Sequence, residues 1–407
     1  MHRVRTSLPY FEKFGWHAEV VAVAPEYSDL VKDDLLAQSV PGTIKVHYVK
    51  ALRKGFTAKI GFGALAFRSY NAFRRAVNKI LKNDRFDLVY FSTTQFPVCA
   101  LGAYWKKKYN VPYVIDMQDP WYSTHYSDKP RSERPPKYRM IYAIHKFLEG
   151  VAMRSVGGLI SVSQQYISDL EQRYPRLKDL PAAEITFGAF LPDIDIAKKY
   201  QDIFSPILSN NHRNIVYVGR GGTDMHKAIK PVFEALKNGL DKQPEKFSTL
   251  KFWFIGTSYA PAEKSVPTIM PLAKQYGLED SVIEITGRIS YYHTLATLLA
   301  ADALFIPGSE DPKYSASKIY PYLLTQKPLL AIFNKQSNAV PVLTTSALGA
   351  RVLTFDSKSD LLSGDINEVL SDWASGSFTP ITLAEGFNAY SAENLTAKQT
   401  ALFERVQ

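Results

Sequence analysis

Apolar residues in this chain follow two alternating rhythms. Short runs rich in valine, isoleucine and phenylalanine recur in the first half at residues 17–23, 44–49, 87–92, 113–117, 158–162 and 184–187. Runs of that length, bounded by turn-forming residues, predict strands. Between them, near 64–82, 97–109, 137–155 and 164–173, apolar positions recur three and four apart, which predicts amphipathic helices. The opening residues read as a helix stopped at Gly15 and Trp16. A second series has strands expected at 214–218, 251–255, 281–286, 303–306, 329–333 and 351–354. Its helices are expected near 226–239, 266–276, 291–300, 315–325, 338–346 and 359–374, and a helical pattern from about 383 to 406 closes the chain.

Strands alternating with helices of this length mean parallel βαβ units, so each half is expected to be a Rossmann-like α/β domain. Residues 191–212 lack strand alternation and hold two prolines and paired asparagines, which marks them as a linker. The expected domains are therefore 1–190 and 213–384, with the closing helix 385–407 completing the first. A doubly wound domain normally opens on a strand and a glycine-rich turn, whereas this chain opens on the helix that should follow them. The first strand of the N-terminal sheet is thus expected to be missing or to lie upstream of residue 1.

Composition narrows the setting. A length of 407 residues fits two or three domains at about 100–200 residues each. Hydrophobic content of 46% and charged content of 22% are those of a globular protein. Cys99 is the single cysteine, no apolar run reaches the ~18 residues of a membrane span, and no signal-peptide core opens the chain. A cytoplasmic setting is expected. The net charge of +10 favours anionic partners. No acidic residue falls between Asp34 and Asp84, and on a helical wheel Arg68, Arg75, Lys79 and Lys82 share one stripe opposite an apolar face. That stripe, flanked by Phe56, Phe62 and Phe67, suits docking on an anionic membrane surface at its inner, cytoplasmic side.

Two stretches carry candidate chemistry. In NIVYVGRGGTDMHKAIKPVFEAL (214–236) a strand runs through a glycine turn into a helix. Gly219, Gly221 and Gly222 allow close backbone approach to a ligand, Arg220 leaves the strand end, and Lys227 falls in the first helical turn. Two fixed cations there can hold phosphates and stabilise charge on a leaving phosphate. The spacing is not GxGxxG, so the dinucleotide fingerprint is absent. In ADALFIPGSEDPKYSASKIYPYLLTQKPLLAIFN (301–334) a strand is followed by a loop with Lys313, Ser315, Ser317 and Lys318 and then a helix. Ser315 or Ser317 can cap that helix and turn its free N–H groups toward an anion. The eight histidines show no HExxH spacing, so no metal site is expected, and Ser161 and Ser163 lack the GxSxG elbow of hydrolases.

These two stretches together resemble the C-terminal half of GT-B glycosyltransferases, most closely the family 4-like enzymes, and the likeness extends along the chain. SLPYFEKFGWHAEVVAV, VPYVIDMQDPW, VGGLISVSQQYISDL and VIEITGRISYYHTLATLLAADALFIPGS resemble successive strand–turn–helix pieces of that family in order. The resemblance implies two Rossmann-like domains facing a cleft, a nucleotide-sugar donor, retention at the sugar carbon, no metal or other cofactor, and a glycan or lipid-linked acceptor. It implies that Arg220 and Lys227 contact the donor diphosphate, that Lys318 with Ser315 and Ser317 holds the distal phosphate, and that Asp119 and Gln118 face the sugar. The chain departs from the family at three places. The paired glutamates fall at Lys313 and Pro321, leaving ribose recognition to Glu310 or Asp311; the acceptor-side histidine is Gln118; and the glycine-rich loop of the first strand is missing. A non-catalytic glycosyltransferase-like subunit, or a truncated inactive chain, is the rival expectation. A nucleotide-sugar epimerase lacks an acid/base cluster here, and no nucleic-acid module accompanies the basic patch.

Overall fold

The structure, a computed structural model, describes residues 2–28, 33–59, 62–122, 130, 134, 137–260, 262–311, 319–356 and 363–406. The chain divides into two compact units, residues 1–188 with 392–407, and residues 189–391.

In the first unit β1 (Glu19–Val23) pairs in parallel with β2 (Lys45–Val49), from Glu19 opposite Lys45 to Val23 opposite Val49. A separate parallel sheet runs in the order β3 (Val89–Ser92), β4 (Tyr113–Met117), β5 (Gly158–Ser161) and β6 (Ala182–Glu184). Successive strand residues point to opposite faces. One face therefore gathers Phe91, Tyr113, Ile115 and Leu159 with Val21, and the other Val114 and Ile160 with Val20 and Tyr90. The amphipathic helix Leu65–Asn83 lays Ala66, Tyr70, Phe73 and Val77 on the first face, together with the wholly buried Cys99. The chain's last helix, Ala392–Glu404, sends Leu395, Leu402 and Phe403 into the second.

The second unit holds a six-stranded parallel sheet: β7 (Arg213–Val218), β8 (Leu250–Ile255), β9 (Val282–Ile285), β10 (Ala303–Pro307), β11 (Leu329–Asn334) and β13 (Arg351–Phe355). A short antiparallel pair, β12 (Ala347–Leu348) with β14 (Thr382–Leu383), lies outside it. The order β13-β11-β10-β7-β8-β9 reverses direction between β7 and β10. At such a switch point the crossover helices leave on opposite faces and open a crevice beyond the strands' carboxyl ends. Here β7 and β10 pair only at Ile215 with Ala303 and Val216 with Leu304. Beyond that the Tyr322 hydroxyl serves the end of β7, accepting from Val218 N at 2.7 Å and donating to Val218 O at 3.1 Å.

Several expected boundaries shift. The last strand of the first half is Ala182–Glu184 rather than 184–187. Residues 191–212 open with a helix, Leu191–Lys199, where Pro192 sits in the first turn and costs no hydrogen bond. Its buried Asp193 accepts from the hydroxyls of Tyr291 at 2.8 Å and Tyr292 at 2.7 Å, so this segment is packed into the second unit. Pro321, expected inside a helix, is the third residue of the described helix Ile319–Thr325.

Candidate functional site

The carboxyl end of β7 turns through Gly219–Gly222 into the short Thr223–Met225 turn and then the helix His226–Lys242. The glycines answer to crowding. A Cβ at 219 would run into the Tyr217 ring, and one at 221 would lie 2.9 Å from Thr257 Cβ. The turn is fastened by its backbone: Gly219 N donates to Ile255 O at 2.9 Å, Gly221 N to Thr257 O at 2.8 Å, and the Tyr217 hydroxyl to Arg220 O at 3.0 Å.

Arg220 is thereby held at the crevice and makes a two-pronged contact with Asp224, Nη1–Oδ1 at 3.0 Å and Nη2–Oδ2 at 2.6 Å. Those bonds hold the Asp224 carboxyl below its ordinary range. From the loop after β10, the buried Ser309 donates its hydroxyl to Asp224 Oδ2 at 2.5 Å, and Glu310 N donates to Asp224 O at 2.8 Å. Gly219, Arg220, Gly221, Gly222 and Glu310 thus come together around the switch point. Glu310 is exposed, with its carbonyl accepting from Asn334 Nδ2 at 3.0 Å.

Lys227 takes a different course. Its ammonium donates to the Asp356 carbonyl at the end of β13 and lies 5.5 Å from the centre of the Phe355 ring. Ser315, Ser317 and Lys318, with Lys313, lie outside the described residues.

Gln118 and Asp119 belong to the first unit, just past β4. Gln118 is buried and its amide is committed inward, donating to Ser92 Oγ and Asp116 Oδ2, each at 2.8 Å. Asp119 is exposed by area, yet the protein around it displaces enough water to push its carboxyl upward. On the helix Leu65–Asn83, Arg75, Lys79 and Lys82 are exposed. Arg68 leaves that stripe: it is 6% exposed and donates to Leu52 O and Tyr27 O, both at 2.9 Å, because two carbonyls of neighbouring loops lie within its reach.

Sequence reasoning passed over Asp224, Ser309 and Tyr322 around the crevice, and Arg3, Ser92 and Asp116 in the first unit. Asp224 follows Arg220 by four positions, a readable signal for an ion pair. The others depend on partners far along the chain. Among the described residues no cluster of His, Cys, Asp and Glu is arranged to hold a metal ion, and no helix is long and apolar enough to cross a membrane.

No known protein family matches the chain. No curated protein matches it either. Solved structures do. Anabaena HepE in complex with UDP and glucose superposes with a TM-score of 0.52 at 16% identity, covering 99% of this chain and 93% of that one. The same protein in complex with UDP-glucose gives 0.50 at 16% identity, over 100% and 92%. The N-terminal domain of Candida albicans trehalose-6-phosphate phosphatase gives 0.50 at 13% identity, over 100% and 88%. At such identity the likeness concerns the fold, and it runs the length of the chain. The fold is GT-B: two Rossmann-like α/β units with parallel sheets.

Proposed function

We propose that the chain is a glycosyltransferase that moves a sugar from a nucleoside-diphosphate donor to a glycan or lipid-linked acceptor, with retention and without a metal. The observation that carries this reading is Arg220, fixed on a glycine turn at the switch point of the second sheet. The HepE structure of the same fold, bound to UDP-glucose, supports a nucleotide-sugar as the ligand. In the reaction the bond from the sugar's anomeric carbon to the diphosphate oxygen breaks and the acceptor hydroxyl adds on the same face. The departing phosphate takes that hydroxyl's proton. Charge gathers on the diphosphate as the bond breaks, and a prepositioned guanidinium stabilises it more than it stabilises the bound donor. In this reading Gly219, Gly221 and Gly222 admit the diphosphate, Ser315, Ser317 and Lys318 add to its grip, and Glu310 serves the ribose.

The test is melting of the full chain with UDP, GDP, ADP, CDP and dTDP. One diphosphate should raise the melting temperature, as a ligand at about 100 times its Kd adds roughly 2.7 kcal/mol. Arg220→Ala should abolish most of that shift. Equal shifts in parent and variant would remove Arg220 from the site. A second reading, a subunit that binds without turnover, is favoured by Lys227, whose ammonium is spent on the Asp356 carbonyl. A stabilising diphosphate whose sugar-linked form is never hydrolysed or transferred selects that reading.

We also assign Arg75, Lys79 and Lys82 to an anionic membrane surface, which suits a lipid-linked acceptor. In liposome flotation the chain should rise with anionic vesicles and stay behind with neutral ones. Equal recovery in both ends the assignment.

A further inference from the structure

Arg220 leaves β7 between Gly219 and the pair Gly221–Gly222, so neither neighbour offers a side chain to steady it. An arginine on such a turn has many rotamers, and ordering it during binding costs affinity. In this protein it is ordered beforehand. Both Nη atoms meet the two oxygens of Asp224, the fork-to-carboxylate match that fixes direction as well as distance. The carboxylate is itself held from across the switch point: Ser309, 2% exposed, donates to Oδ2 at 2.5 Å. Glu310 N ties the Asp224 carbonyl to the same loop at 2.8 Å. A solvated pair four residues apart contributes little and involves no other element. Here one acidic residue joins the loop after β7 to the loop after β10.

Resting on the reading of Arg220 as a diphosphate ligand, we propose that Asp224 is a positioning residue for donor binding, its carboxylate presetting the guanidinium and Ser309 setting the carboxylate. Electrostatics alone predicts the opposite sign. Asp224 adds a negative charge beside an anionic ligand and competes for the same cation, so neutralising it would tighten binding if repulsion prevailed. If preorganisation prevails, neutralising it loosens binding. The sign decides.

The experiment titrates the full chain calorimetrically with UDP, GDP, ADP, CDP and dTDP in turn, using the parent, Asp224→Asn, Ser309→Ala, Arg220→Ala and the Asp224→Asn/Arg220→Ala double variant. Asparagine keeps the shape and one hydrogen bond, so the fold is expected to persist. Asp224→Asn should weaken the diphosphate that binds by about tenfold and Ser309→Ala by less, while adding Asp224→Asn to Arg220→Ala should change nothing further. That loss of additivity separates positioning through Arg220 from general damage to the loop, which would weaken both backgrounds alike. Tighter or unchanged binding by Asp224→Asn, or full additivity in the double variant, overturns the proposal while the reading of Arg220 stands. A parent chain that binds none of the five diphosphates overturns both.

Discussion

In the second unit β7 is hydrogen-bonded on both sides and the sheet runs unbroken across six strands; in the first, β1–β2 and β3–β6 form separate sheets. Burial sets the outlying pair apart from both larger sheets: β4, β5 and β10 are buried at every position, whereas β1 is only partly covered along its whole length. Buried charge does divide by unit. Among the described residues the buried charged side chains are Arg3, Arg5, Arg68, Asp116 and Glu149 in the first unit and Asp193 alone in the second. Where a ladder is continuous, strand backbones satisfy each other and apolar side chains can fill both faces. In the first unit buried arginines also serve backbone carbonyls beyond strand ends. Arg3 donates to Ile185 O at 2.5 Å and Thr186 O at 3.0 Å, and Arg68 to Leu52 O and Tyr27 O. The second unit is held chiefly by packing and its ladder, the first also by a buried ionic network.

The sharpest way to break that contrast is to remove one member from each unit. Arg3 Nε meets Asp116 Oδ2 at 2.7 Å with both side chains almost wholly buried. Arg3→Met keeps the stem and removes the charge, leaving Asp116 to Ser92, Gln118 and Tyr90 alone. Stranding a buried carboxylate costs about 3–5 kcal/mol. Native-state hydrogen exchange should show β4 and β5 losing that much protection while β7 and β8 keep theirs. In the second unit, Tyr322→Phe removes a hydroxyl that serves both Val218 N and Val218 O. The cost should be about 1–3 kcal/mol, confined to β7 and β10. Uniform loss across both units for either variant would show that they unfold as one body and would undo the comparison.

Much of the second unit could be read in advance, because strands buried on both faces leave continuous apolar runs. The expected 303–306 and 329–333 became Ala303–Pro307 and Leu329–Asn334. The first unit was legible in its elements but not in its connections. The strand at 113–117 was expected where it stands, yet Asp116 within it gave no sign that its partner was Arg3, 113 residues away. Arg68 has helical spacing with Arg75 and Lys79, and spacing alone cannot reveal two loop carbonyls waiting for it. Around the crevice, Arg220 stands at the strand end where its local pattern, a cation beside glycines, puts it. Lys227 shares that pattern, but its partner Asp356 lies 129 residues on. Patterns local in sequence survive translation into structure, whereas the destination of a long cationic side chain is decided by what the fold brings near it.

A gentler probe of the first unit uses protons. His145, on the helix Tyr138–Met153, accepts at Nδ1 from Trp121 Nε1 at 3.1 Å, so the bond requires that nitrogen unprotonated. Burial pushes the imidazole below its ordinary value of 6.5. Once unfolded, the ring recovers that ordinary value. As pH falls below it, the unfolded chain takes up a proton that the folded ring declines, and stability drains away until the folded ring protonates too. The contribution is therefore complete above about pH 6.5 and lost on acidification below it. The parent should melt lower at about pH 5.5 than at about pH 7.5, and His145→Asn, whose amide oxygen can replace Nδ1 as acceptor, should show a smaller difference. Glu149, one turn along the same helix and raised by its own burial, titrates in both chains and cancels in the comparison. The effect should be smaller than that of Arg3→Met or Tyr322→Phe, since one partly buried ring is involved and no charge is stranded at neutral pH. A variant whose melting temperature falls with acid as steeply as the parent's would mean that the Trp121 contact does not govern the ring's protonation.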